Sequence, residues 1–123
     1  MAIMVLVVDD EEQVRGLIKE ILEQMQPDVM VIEAQNGAKA QAAFNTPGTS
    51  IEAVITDFDL GNGMTGSELI AWLRQNHPEI PILLFTSHEL PGYADEFLLK
   101  PASIASSRIA FGRLMARIKK PVA

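Results

Sequence analysis

The chain has 123 residues, a formal net charge of −6, no cysteine and two histidines. That length suits one domain over residues 1–123 with an ordinary two- or three-layer core. The negative charge argues against a nucleic-acid partner, and the lack of cysteine excludes thiolate metal sites and cysteine nucleophiles while fitting a reducing, cytoplasmic setting. His77 and His88 are too few for a histidine-built zinc centre. The apolar run 2–8 is far too short to span a bilayer and lacks the charged flank of a signal peptide, so no membrane partner is expected.

IMVLVV (3–8) is a β-branched run ending in charge, as expected of a strand buried on both faces of a parallel sheet. A helix follows, with Val14, Leu17, Ile18, Ile21, Leu22 and Met25 on its apolar side and Pro27 to stop it. VMVIEA (29–34) reads as a second strand, 37–44 as a short Ala-rich helix, and EAVITD (52–57) as a third strand. Thr65 and Glu68 form a capping box that opens a helix through Leu69, Ile70, Trp72 and Leu73. IPILLFT (80–86) and EFLLK (96–100) are the fourth and fifth strands. A last helix carries Ile104, Phe111, Leu114, Met115 and Ile118 on one side. Half of the basic residues (Arg108, Arg113, Arg117, Lys119 and Lys120) lie in this final stretch, and they read as a solvated helix face.

Strand alternating with helix implies an α/β fold with a doubly wound, right-handed parallel sheet. In the flavodoxin-like order 2-1-3-4-5, ligands bind where the first and third strands part, at their carboxyl ends. Asp9, Asp10 and Asp57 fall there. Three carboxylates in one place oppose one another's ionisation, so a cation is expected, and Mg²⁺ suits an all-oxygen site. The alternative for DDEE (9–12) is a helix start favoured by the dipole, a reading kept for Glu11 and Glu12. Thr86 and Lys100 end the fourth and fifth strands at the same rim. Together these residues describe a phosphoryl site in which Asp57 is the nucleophile, Mg²⁺ and Lys100 balance oxygen charge, and Thr86 donates a hydrogen bond.

With Asp9-Asp10, VITD ending at Asp57, FTS holding Thr86, and FLLKP holding Lys100 and Pro101, the chain resembles a response-regulator receiver domain over essentially its whole length. The resemblance implies phosphoryl transfer from a histidine kinase to Asp57. It also implies Mg²⁺ held by Asp9, Asp10, Asp57 and the backbone carbonyl of Asp59, with Thr86 and Lys100 on the phosphoryl oxygens. Phe97 matches the aromatic switch position that moves with Thr86, and its alternative is ordinary core packing. Asp59 and His88 stand where receivers tune the loss of the phosphoryl group to water.

Two other functions have partial motifs in the sequence. GNGMTG (61–66) matches a dinucleotide fingerprint, but it follows the third strand instead of the first, and Asp57 and Asp59 would repel a pyrophosphate. DFD (57–59) resembles the D-x-D of Mg²⁺-dependent phosphohydrolases, but the acidic pair comes first here instead of last. A pseudo-receiver that binds partners without phosphorylation is a further alternative. The chain departs from the receiver pattern in two places. The loop holding Gly61, where receivers often have proline, is one residue longer, and SHELPGYAD (87–95) is too short for a full crossover helix, so a short or missing helix is expected there. With no effector module read after the last helix, the chain is expected to be either a stand-alone receiver or a receiver cut from a larger kinase or regulator, and the sequence names neither a downstream target nor the kinase.

Overall fold

A computed structural model describes residues 2–61, 63–87 and 94–118. In chain order the elements are β1 (Ile3–Val8), α1 (Glu12–Met25), β2 (Val29–Ala34), α2 (Gly37–Phe44), β3 (Ile51–Asp57), α3 (Gly66–Asn76), β4 (Ile82–Thr86), β5 (Glu96–Leu99) and α4 (Ile104–Ala116). The five strands form one parallel sheet in the order β2-β1-β3-β4-β5, as the alternating pattern predicts. The short or missing helix expected in 87–95 falls largely on 88–93, outside the described residues; its flanks Ser87, Ala94 and Asp95 are not helical.

The central strands β1 and β3 are buried along most of their length, which is why they read as continuous apolar runs instead of alternating ones. Their side chains still alternate between two cores. Val5, Val7, Ala53, Ile55, Leu83 and Leu98 face one cluster, with Ile18, Ile21 and Leu22 of α1 and Ala110, Phe111 and Leu114 of α4. Leu6, Val8, Val54, Ile82 and Leu84 face the other, with Ala40 of α2 and Leu69, Ile70 and Leu73 of α3.

Helix ends follow local chemistry. Asn36 caps α2 by accepting from Lys39 N, and Thr65 and Glu68 form the expected reciprocal box at α3. Ser103 caps α4 through Ser106 N. Two periodicity assignments need correction. Periodicity places Leu17 and Ile104 on apolar helix faces, but they are exposed, at 51% and 56%. Each lies at the margin of its stripe: α1 reaches the sheet through Ile18, Ile21 and Leu22, and α4 through Ala110, Phe111 and Leu114. Strand limits also move slightly. β4 begins after Pro81, and Lys100 lies one residue beyond β5.

Candidate functional site

The strands end in phase, so their last residues converge at the carboxyl edge of the sheet. Asp9 follows β1, with its N–H donating to Ala34 O of β2, and Asp57 is the last residue of β3. Lys100 is tied to the edge by its own N–H, which donates to Thr86 O at 2.8 Å. Its Nζ donates to Asp57 Oδ2 at 2.8 Å, an ion pair in which Asp57 is almost wholly buried and Lys100 partly exposed. Carboxylate oxygens of Asp9, Asp10 and Asp57 all lie within 4.8 Å of one another, with Asp9 and Asp57 buried and Asp10 exposed. Beside Asp10 a cleft of about 380 Å³ is lined by Gln35, Asn36, Leu60 and Gly61.

The electrostatics of this cluster are unbalanced. The Asp9 carboxyl is pushed up to about 6, chiefly by burial and with help from the charges of Asp57 and Asp10, against the Glu11 N–H and Lys100, which draw it down. Burial disfavours the Lys100 ammonium, but its bond to Asp57 and the charges of Asp57, Asp9 and Glu11 outweigh that and hold its pKa above the usual lysine value. Asp9 Oδ1 accepts from Glu11 N at 2.8 Å, while its Oδ2 is buried with no hydrogen-bond partner. A buried carboxylate oxygen without a donor is costly, and a cation removes that cost. Three carboxylates with oxygens within 4.8 Å of one another form an all-oxygen donor set of the kind that Mg²⁺ takes. The donor set therefore fits Mg²⁺.

The structure brings together Asp9, Asp10, Asp57 and Lys100. The Asp59 N–H donates to Asp57 Oδ1 at 3.3 Å, and the Asp59 side chain is exposed. Thr86 is buried at the end of β4. By strand alternation it faces the α2/α3 core like Leu84, whereas Asp57 and Lys100 face the α1/α4 core like Ile55 and Leu98. Phe97 is half-buried against the α2/α3 cluster, opposite Leu84 in the sheet and one pleat below Thr86. His88 lies outside the described residues. At 9–12, Glu11 is the N-cap residue without a side-chain cap bond and Glu12 lies in the first turn.

Three residues at the site went unread in the sequence. Arg15 of α1 donates from Nη1 to Asp9 O at 2.7 Å and pairs through Nε with Glu33 Oε1 at 3.1 Å, clamping the chain under Asp9. Gly66 donates its N–H to Phe58 O at 2.8 Å, and a Cβ there would lie 2.5 Å from Asp57 O and 2.6 Å from Phe58 Cα. The first turn of α3 therefore rests directly on the backbone of the site. Phe85, read as part of an apolar strand, has the Lys100 ammonium over its ring at 4.8 Å from the centroid. A register argument finds it, because Phe85 lies opposite Asp57 across β3 and β4.

Comparison with known proteins agrees with this fold. The chain belongs to the response regulator receiver domain family, whose model matches residues 5–106. It is 32% identical over 85 residues to the nitrogen assimilation regulatory protein NtrX of Azorhizobium caulinodans, covering 68% of this chain and 18% of that protein. It is 28% identical over 111 residues to the response regulator protein PilR of Pseudomonas aeruginosa, covering 84% of this chain and 24% of that protein. The chain thus spans a quarter or less of the length of these curated relatives. Among solved structures it resembles the response regulator protein TrrA of Thermotoga maritima in complex with Mg²⁺-BeF. That likeness has a TM-score of 0.78 and 26% identity, and covers 91% of this chain and 98% of that one.

Proposed function

We propose that this protein is a phosphoacceptor signalling module that takes a phosphoryl group from a histidine kinase onto Asp57 and signals by protein contact. The observation that carries the reading is the buried Asp57 carboxylate bonded to Lys100 Nζ at 2.8 Å beside Asp9 and Asp10. A carboxylate oxygen of Asp57 attacks the phosphorus; the new O–P bond forms as the P–N bond to the kinase imidazole breaks, and that bond's electron pair returns to the imidazole. Charge builds on the three equatorial oxygens, and Lys100 is the cation this chain sets beside them. Thr86 donates its hydroxyl to a phosphoryl oxygen.

Asp9, Asp10, Asp57 and the backbone carbonyl of Asp59 would hold Mg²⁺, which when bound neutralises phosphoryl oxygen charge. The Mg²⁺-BeF complex of TrrA and the partnerless Asp9 Oδ2 support that assignment. Phe97 answers the movement of Thr86, and Asp59 with His88 tunes the lifetime of the adduct. The family of the chain supports the kinase as donor. Residues 1–123 form one receiver domain, and the cysteine-free sequence fits the cytoplasm.

The test is intact mass after incubation with Mg²⁺ and acetyl phosphate, comparing wild type with Asp57→Ala and following free phosphate. One phosphoryl adduct on wild type alone is expected. Sustained phosphate release would point instead to a phosphohydrolase, and absence of any Asp57-dependent chemistry to a binding module that is not phosphorylated.

A further inference from the structure

Lysine is an awkward residue to hold in place. Its ammonium is a point charge on a flexible four-carbon stem, and Lys100 sits at the rim with its side chain 30% exposed. The bond to Asp57 Oδ2 fixes it in the free protein, but that carboxylate is the group whose charge changes when a phosphoryl group arrives. Something that does not change must keep the ammonium at the rim.

The sheet register supplies it. Asp57, Phe85 and Leu98 lie side by side across β3, β4 and β5. Lys100 is two residues beyond Leu98, so alternation returns its side chain to the same face. Phe85 packs against the α1/α4 core, which steadies its ring, and its carbonyl accepts from Phe58 N just after Asp57. The Lys100 ammonium lies 4.8 Å from the centroid of that ring, inside the ~6 Å within which an aromatic quadrupole attracts a cation.

We propose that Phe85 is a positioning residue for Lys100: its ring face is the fixed seat that keeps the ammonium at the rim while the phosphoryl group is transferred to Asp57 and while it resides there. This rests on Asp57 being the phosphoacceptor. Asp57 and the phosphoryl oxygens exchange as the polar partner of Lys100, whereas the ring remains in place throughout.

The decisive experiment installs mono-, di- and trifluorinated phenylalanine at position 85 alone, which weakens the negative ring face stepwise at nearly constant shape. Phe85→Leu and Phe85→Tyr are made beside them. The rate of adduct formation with Mg²⁺ and acetyl phosphate, and the adduct lifetime, are followed by intact mass with urea unfolding in parallel. The rate should fall in step with fluorination and drop about two- to fivefold in Phe85→Leu, with Phe85→Tyr near wild type. In unfolding, Phe85→Leu and Lys100→Met should be non-additive. A flat fluorination series on a wild type that accepts the phosphoryl group overturns this proposal alone, as does strict additivity. No adduct on wild type overturns the phosphoacceptor reading and this role with it.

Discussion

On the α1/α4 side of the sheet, the strand ends carry charge: Asp9, Asp57 and Lys100, with the Phe85 ring beneath the lysine. On the α2/α3 side they carry the Thr86 hydroxyl and, one pleat lower, Phe97. Sequence neighbours are divided between the two: Phe85 goes to the charged side and Thr86 to the other, although one peptide bond joins them. Function at a strand end is thus assigned by parity as much as by residue type, and a slip of one residue would exchange the two sets. The charged side is tied by short polar contacts. On the other side, Phe97 is held by apolar packing against the α2/α3 cluster.

The strongest way to sharpen this contrast is to remove one group from each side. Lys100→Met takes away the cation paired with Asp57 and should slow adduct formation by about a hundredfold or more, whereas Thr86→Ala, which loses one neutral donor, should cost no more than about tenfold. Mass spectrometry at matched phosphodonor concentration checks both. Equal losses would break the comparison.

Gly66 and Gly16 provide the next test. At Gly66 a Cβ meets backbone of Asp57 and Phe58, which cannot yield, so Gly66→Ala should destabilise by about 1–3 kcal/mol and slow phosphorylation. At Gly16, exposed in α1 with nothing within 4 Å of the added Cβ, Gly16→Ala should stabilise by about 0.5–1 kcal/mol and leave the adduct rate unchanged. Urea midpoints of opposite sign are the expected result.

A smaller effect concerns pH. The folded-state pKa of Asp9 is raised from 3.8 to about 6, so the folded protein binds more protons than the unfolded chain between those values. In the presence of a chelator, stability should fall as pH rises from about 4 to about 6 and then level, and Asp9→Asn should remove that slope. Asp95 behaves oppositely. Burial raises its pKa, but the Ile82 N–H and Arg74 outweigh burial and hold it below 3.8, so its contribution is lost only as pH falls through that lower range. Thermal unfolding in chelator at half-unit pH steps separates the two windows.

Much of this architecture was legible in the chain. Unbroken apolar runs marked buried parallel strands, and the acidic pair, Asp57, Thr86 and Lys100 were found because each terminates such a run. What escaped notice depends on register across strands or on backbone proximity. Phe85 reads as one more apolar residue until β3 and β4 are aligned, and Gly66 reads as a turn glycine until α3 is seen against Asp57 O. Arg15 reads as helix surface because its partners, Asp9 O and Glu33, come from two other elements. Leu17 and Ile104 were misplaced for a related reason: periodicity gives a stripe's direction but not its width, which the neighbouring elements set.

The bond from Gly66 N to Phe58 O closes the connection between β3 and α3 at its base. Gly61 and Gly63, at φ of 74° and 94°, let the chain turn back within it. A bay with a clasped mouth can change its outline without moving its shore. Each added residue costs little closure entropy, since that cost grows only with the logarithm of loop length. The additional residue expected beside Gly61 would be such a lengthening. The stretch beyond the buried Leu60, beside Gly61 and Gly63, is therefore where this chain can accept insertions, or a grafted recognition segment, next to an Asp57 whose position is set by β3.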